Sequence, residues 1–399
     1  MNHGESQTDM KQDTTIVTAG RDPESNLGVV NPPVYHTSTI LNPSMATMKA
    51  NGARREKGET VTMYGRIGHP TSLAFEEAMA EVEGGYNAFA FPSGLAAIAA
   101  AITSYVSAGD HILVSDSAYR PTRSYCDGVM KRFGVETTYY DPLIGAGIAD
   151  LIRPNTKIVY VEAPGSHTFE MQDIPAIAAE AKKAGAMVLM DNTWASPLFF
   201  RPFDHGVDVS IHAATKYIVG HSDAMLGVVV TNEAAWQPLR QTAQAMGQCV
   251  GPDDIYLGLR GLRTLAVRLR QHMVNALDIA AWLETRPEVG RVLHPGLPSH
   301  PGHAIWKRDF LGSSGLFSIV LREGYSDDDL ARMIDGLKLF GLGASWGGYE
   351  SLVIHQKPEQ FRTATDWSGP GLLVRLHIGL EDTDDLKADL QAGLERLAG

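Results

Sequence analysis

Lys216 closes the stretch SIHAATK (210–216), one strand-like run after DNTWASP (191–197) has placed Asp191 at the end of another apolar run. A lysine usually projects into solvent. Here small residues and Thr215 precede it where an apolar strand ends, which suits an amine that attacks a carbonyl. Asp191 in such a place either anchors a turn by accepting N–H groups or faces a cation. Upstream, FPSGLAAIAAAI (91–102) sets Ser93 and Gly94 where a strand gives way to an alanine-rich helix. The free N–H groups of such a start, at Gly94 and Leu95, can hold a phosphate, or Ser93 can close it as a simple N-cap. An amine, an acid and an anion cradle together meet the demands of pyridoxal phosphate: a lysine for a Schiff base, a carboxylate beside the ring nitrogen and a phosphate site. Thr215 adds a hydroxyl for the phosphate, and Tyr119, in DSAYRPTR (116–123), can stack on the ring.

For these groups to meet, the intervening chain must supply a scaffold. The runs HILVSD (111–116), KIVYVEAP (157–164), AMVLMDN (186–192), VDVSIH (207–212) and GVVVTN (227–232) alternate with helix-like spacers. Continuous apolar strands of this kind predict an α/β fold whose mostly parallel sheet is covered on both faces, with ligands at the carboxyl ends of its strands. Asp116, Asp191 and the segment leading to Lys216 then share one rim. A second region begins at 260–284 with apolar residues at helical spacing and continues through the loop HPGLPSHPGH (294–303) into the strand-like GLFSIVL (315–321) and LLVRLHIGL (372–380), a smaller α+β unit.

Composition narrows the function classes. The 399 residues are 44% hydrophobic and 20% charged with a net charge of -12, which fits a globular chain and predicts no nucleic-acid partner. The apolar window at 88–106 is broken by Pro92, Ser93 and Gly94, so no membrane span is expected. Two distant cysteines, Cys126 and Cys249, read as buried apolar residues of a reducing, cytoplasmic setting. The polar stretch 1–15 lacks a secretory apolar core and reads as a frayed terminus. His294, His300 and His303 lack zinc-site spacing and read as solvated loop residues, so no metal is expected. His212 and His221, flanking the lysine segment, read as packing or supporting groups. No phosphate-binding glycine fingerprint of a nucleotide enzyme occurs. A rival is GASWG (343–347), which matches the nucleophile elbow of serine hydrolases, with Asp366 and His377 following in triad order. An elbow must run from strand into helix, whereas a loop and then a strand follow Ser345.

YGRIGHPT (64–71), FPSGLAA (91–97), DNTWASP (191–197), ATKYIVGHSDAM (214–225) and SWGGYESL (345–352), in that order, resemble the signatures of the cysteine and methionine metabolism group of fold-type I pyridoxal phosphate enzymes. The likeness runs from about Thr14 almost to the C-terminus. RGLRTLAVRLRQH (260–272), GSSGLFS (312–318) and LVRLHIGLED (373–382) are most similar to the bacterial cystathionine β-lyases of that group. The resemblance implies an arm over 1–66, a large cofactor domain over 67–262 and a small domain over 263–399. It makes Lys216 the cofactor lysine and base, Asp191 the pyridinium partner, Gly94, Leu95 and Thr215 the phosphate holders, and Tyr119 the stacking ring. Arg375 becomes the clamp for a substrate α-carboxylate, with Ser345 and Trp346 in the substrate pocket. Tyr64 and Arg66 would reach into a neighbouring subunit's site, in a tetramer of active dimers, with Tyr64 or Tyr119 assisting proton transfer. The implied reaction is β-elimination of L-cystathionine to homocysteine, pyruvate and ammonia. Alternatives are a β-lyase for other cysteine S-conjugates or sulfoxides, as in alliin lyases, or a γ-lyase. Trp346 stands where γ-acting members tend to carry leucine, and PGS (164–166) replaces their PxNP; both favour β-elimination. Ala344, where β-lyases carry a larger aromatic residue, and Ala213, in place of a serine, leave the distal pocket open.

Overall fold

The computed structural model describes residues 10–369 and 371–398. The frayed terminus expected at 1–15 falls partly on residues 1–9, outside the described residues. Beyond them it is corrected: Gln12–Thr18 is a helix, with Asp13 paired to Arg270 at 2.6 Å and Ile16 fully buried.

The larger sheet has seven strands: β1 (Asn87–Phe91), β2 (His111–Ser115), β3 (Glu136–Tyr140), β4 (Thr156–Glu162), β5 (Met187–Asp191), β6 (Val209–His212) and β7 (Gly227–Thr231). Their order is β1-β7-β6-β5-β4-β2-β3. β2 to β6 run parallel, as the apolar runs of β2, β4 and β5 predict when helices cover both faces. β7 is the exception, antiparallel to β1 and β6. Residues 213–226 contain no crossover helix, so the chain returns beside β6 in the opposite sense. That short return carries Lys216.

A second sheet holds β8 (Val289–Leu293), β9 (Leu316–Leu321), β10 (Gly341–Leu342), β11 (Leu352–Gln356) and β12 (Leu373–His377), ordered β10-β11-β12-β9-β8. With the helices Asp327–Asp335 and Thr383–Glu395 it encloses its own apolar core. The helix Pro252–Leu283 joins the two sheets, started by Pro252 with Asp253 and Asp254 in its first turn, where the helix dipole favours acids. Among the described residues, no helix is long and apolar enough to cross a membrane.

Gly261 lets this helix support the lysine segment. A Cβ there would lie 2.3 Å from the carbonyl oxygens of both Ile218 and Val219. Gly261→Ala is therefore expected to lower stability by about 1–3 kcal/mol, the usual cost of overpacking, read as a reduced denaturation midpoint.

Two expectations about isolated side chains are corrected. Cys126 is buried, but Cys249 is exposed. His294 and His300 are buried rather than solvated, because their Nδ1 atoms accept the N–H groups of Gly296 and Gly302, each at 3.0 Å, and fold the loop around the rings. Burial depresses them to about 3 and about 4, so both stay neutral. His303 is half-buried and meets the Pro295 carbonyl. No metal-binding cluster occurs among the described residues.

Candidate active site

A cavity of about 480 Å³ opens at the carboxyl ends of the β-strands, where β4, β5 and β6 meet the small sheet. Gly94, Leu95, Tyr119, Asp191, Thr215, Lys216, Ser345, Trp346 and Arg375 all line it. Tyr64 and Arg66 do not. Tyr64 is exposed, and Arg66 donates to the Gln244 carbonyl at 3.1 Å while its guanidinium lies 5.8 Å from the Tyr64 ring. Asp116 also stays out of the cavity. It is fully buried, accepting from Arg123 Nη1 at 2.7 Å and from the N–H groups of Thr363, Ala364 and Thr365, and so ties the loop before β12 to the large sheet.

Behind Lys216 the separated motifs become one packed unit. The Tyr217 ring lies 5.3 Å from His272, 5.5 Å from Trp346 and 5.9 Å from His377, and its hydroxyl accepts the Gly315 N–H. Gly220, at φ +72°, leaves room for the Arg268 guanidinium, which donates to the Gly261 carbonyl at 2.7 Å. The segment that follows Lys216 is thus packed against four parts of the chain far apart in sequence: the helix Pro252–Leu283, Gly315, Trp346 and His377.

Lys216 Nζ donates to Ser345 Oγ at 2.7 Å and stands 5.3 Å from the Trp346 ring. Burial, aided by the positive charge of Arg375 and opposed by Asp191, depresses the amine to about 8. Within the chain the neighbouring cation is Arg375. Arg375 Nη2 donates to the carbonyls of Ala344 at 3.0 Å and Ser345 at 3.2 Å, and no carboxylate pairs with it among the described residues. A buried cation without a counter-ion suits an anionic ligand.

Asp191 accepts both the N–H and the hydroxyl of Thr193 on Oδ1, at 3.0 and 2.5 Å. Burial raises its pKa, and the Thr193 hydrogen bonds, His212 and Lys216 oppose that rise. His212 is held in turn by Glu83, its Nε2 2.5 Å from Oε2, so it packs behind the site. His221 instead meets the Val219 carbonyl at 2.7 Å, outside the cavity. Glu162, the register partner of Asp191, also lines the cavity and was not singled out in the sequence. Burial and the Asp191 charge push Glu162 well up, toward its protonated form. Glu162 Oε2 also accepts the Tyr119 N–H at 2.7 Å, fixing where that ring begins.

These residues fit pyridoxal phosphate. Ser93 Oγ caps the helix Gly94–Thr103 by accepting from Ala96, while among the described residues no acceptor meets the N–H groups of Gly94 and Leu95. The cap and the anion site therefore coexist. Gly94 is also required by packing, since a Cβ would lie 2.5 Å from that of Ala213. Thr215 Oγ1 donates to the Leu226 carbonyl at 3.1 Å, so it must rotate to serve a phosphate. The hydrolase alternative does not form. Ser345 meets Lys216, Asp366 engages Ser368, and His377 Nε2 accepts the Gly347 N–H at 3.1 Å.

A family model described as Cys/Met metabolism PLP-dependent enzyme matches residues 13–395. The cystathionine beta-lyase MetC of Escherichia coli (strain K12) is 47% identical over 394 residues, covering 98% of this chain and 99% of that protein. The cystathionine beta-lyase of Salmonella typhimurium is 46% identical over 395 residues, covering 98% of this chain and 100% of that protein. The solved cystathionine gamma synthase of Xanthomonas oryzae pv. oryzae superposes with a TM-score of 0.88 at 34% identity, covering 98% of this chain and 99% of that one.

Proposed function

The chain belongs to the Cys/Met metabolism PLP-dependent enzyme family, and from that premise we propose that it is a carbon–sulfur β-lyase converting L-cystathionine and water to homocysteine, pyruvate and ammonia. The observation that carries the reading is Lys216 with a depressed pKa, sharing one cavity with Asp191 and with an Arg375 that lacks a counter-ion. The higher identity to β-lyases than to the γ-synthase supports β-elimination over γ-chemistry.

When bound, pyridoxal phosphate supplies an electron sink that acidifies the substrate Cα–H. Gly94 and Leu95 hold its phosphate with their N–H groups, and Asp191 holds the proton at the ring nitrogen. Tyr119 covers the ring. Arg375 binds the α-carboxylate through its planar fork, which orients Cα–H toward Lys216. The Lys216 amine, neutral in a useful fraction at neutral pH, removes that proton, and the homocysteine thiolate departs from Cβ. Ser345 Oγ steers the amine between these positions. In this reading the arm over 1–66 carries Tyr64 and Arg66 into a second subunit's site, within a tetramer of active dimers. The large unit spans 67–262 and the small unit 263–399, each sheet having its own core.

The test is product analysis with cystathionine, cystine and S-alkyl-cysteine sulfoxides. Pyruvate and homocysteine from cystathionine support the proposal, whereas 2-oxobutyrate would make the chain a γ-lyase. Ala344, with a single methyl on the cavity wall, favours a second reading in which other cysteine S-conjugates or sulfoxides are the better substrates. Arg375→Leu is expected to lower kcat/KM roughly 100-fold or more, chiefly through KM, since removing one partner of a buried charge pair costs about 2–5 kcal/mol. The fold should persist, because the cation's own burial is unfavourable.

A further inference from the structure

His167 lines the cavity on the loop that leaves β4, and its Nδ1 is buried without a hydrogen-bond partner among the described residues. A buried polar atom left unpaired is unfavourable, so one kept beside a ligand cavity calls for a partner that the ligand brings. The backbone points the same way. His167 sits at φ +70°, a left-handed conformation that non-glycine residues seldom adopt. The surroundings enforce it. Ser166 N–H donates to the Ser117 carbonyl at 2.8 Å, and Gly165 and Glu170 close the loop at 2.9 Å. Thr168 is bonded both to Arg362 and to Glu170. A Cβ on Gly165 would lie 2.5 Å from that of Ser117, so the loop can sit this deep only with glycine there.

We propose that His167 is a substrate-recognition residue, donating a ring N–H to the substrate's carboxylate beside Arg375. Burial, aided by the guanidiniums of Arg375, Arg362 and Arg120, holds the imidazole's pKa down to about 3. The ring is therefore neutral and keeps an N–H to give. A carboxylate is the partner this field favours, because Arg362 already faces Glu170 at 3.6 Å whereas an anionic oxygen would offset Arg375 while accepting that hydrogen bond. The reading deepens the lyase assignment by naming a second contact for the carboxylate that Arg375 binds.

The test uses cofactor-loaded protein with His167→Gly and His167→Asn. Glycine accepts the left-handed backbone and removes the ring; asparagine tolerates the same φ and keeps an N–H donor near the Nδ1 position. The probe is 3-(methylthio)propanoate, which carries the carboxylate and thioether but no amine to react, titrated by calorimetry. His167→Gly is expected to weaken its binding roughly 10- to 100-fold and His167→Asn less than threefold, in line with loss or retention of one hydrogen bond to a charged group. KM for L-cystathionine should follow the same order, with kcat changed less than threefold. Unchanged probe binding in His167→Gly, or equal losses in both variants, would overturn the inference. The probe reports carboxylate binding whether or not cystathionine turns over. A wild type that binds it in a His167-dependent way yet forms no pyruvate refutes the lyase reading alone.

Discussion

Lys216→Ala is expected to lower turnover of L-cystathionine by roughly 10⁴-fold or more, since on the proposed mechanism it removes both the covalent anchor of the cofactor and the base at Cα. The environment is built for that amine. Burial and Arg375 bring it from 10.5 to about 8, so at pH 7 its neutral, nucleophilic fraction is ~300-fold larger than that of an ordinary lysine. The sign is fixed by the charge type: desolvation disfavours the ammonium form, and depression of a base's pKa enlarges the free-amine population at lower pH. Cofactor loading onto the apoprotein should accordingly speed up with pH and level off above about 8, instead of rising toward 10.5. Borohydride reduction of the loaded protein should fix the cofactor's mass on the Lys216 peptide in the wild type and nowhere in Lys216→Ala. Thermal unfolding should stay close to wild type. A variant retaining more than a hundredth of wild-type turnover, or a cofactor mass trapped on another lysine, would remove Lys216 from its role.

Much of this arrangement was legible because burial and chemistry wrote the same residues. β4, β5 and β7 are continuous apolar runs, as strands covered on both faces must be, and Asp191 and Lys216 interrupt that character where the strands end. β3 escaped notice because ETTYY lies at the sheet edge with only Tyr140 buried, so neither a continuous nor a cleanly alternating apolar pattern marks it. The helix Gln12–Thr18 is polar apart from Ile16 and Val17, and its anchors come from distant Arg270 and Arg263. The buried histidines of 294–303 were read as solvated because proline- and glycine-rich loops usually lie outside; here the rings form the loop's own core. Cys249 was misread for the converse reason, since cysteine is ordinarily buried. Glu162 was quoted only as the end of a strand, and its role depends on its register beside Asp191, which one sequence does not supply. His167 follows PGS without any spacing that marks a site. Its significance lies in a left-handed backbone and an unpaired nitrogen, both properties of the folded chain.

Asp191→Asn is expected to cost roughly 10³-fold in kcat/KM while leaving cofactor binding and the fold largely in place. The substitution is nearly isosteric, and the amide oxygen can still accept the Thr193 hydrogen bonds now made to Oδ1. What it removes is the charge. Asp191 is 8% exposed, and its burial works against ionisation, so without a cation opposite it the carboxyl drifts toward neutrality. Burial and the Asp191 charge push Glu162 alongside well up, against the hydrogen bonds it accepts from Tyr119 and Ser166. A protonated ring nitrogen is the cation that would hold Asp191 ionised, and an uncharged amide cannot hold that proton. A cofactor methylated at the ring nitrogen carries the positive charge permanently. Reconstituting Asp191→Asn with it should restore a substantial part of the lost rate, while the same cofactor should give the wild type no gain. If Asp191→Asn turns over within tenfold of wild type, or the methylated cofactor fails to rescue it while binding normally, Asp191 acts only as the turn anchor that its hydrogen bonds to Thr193 also make it.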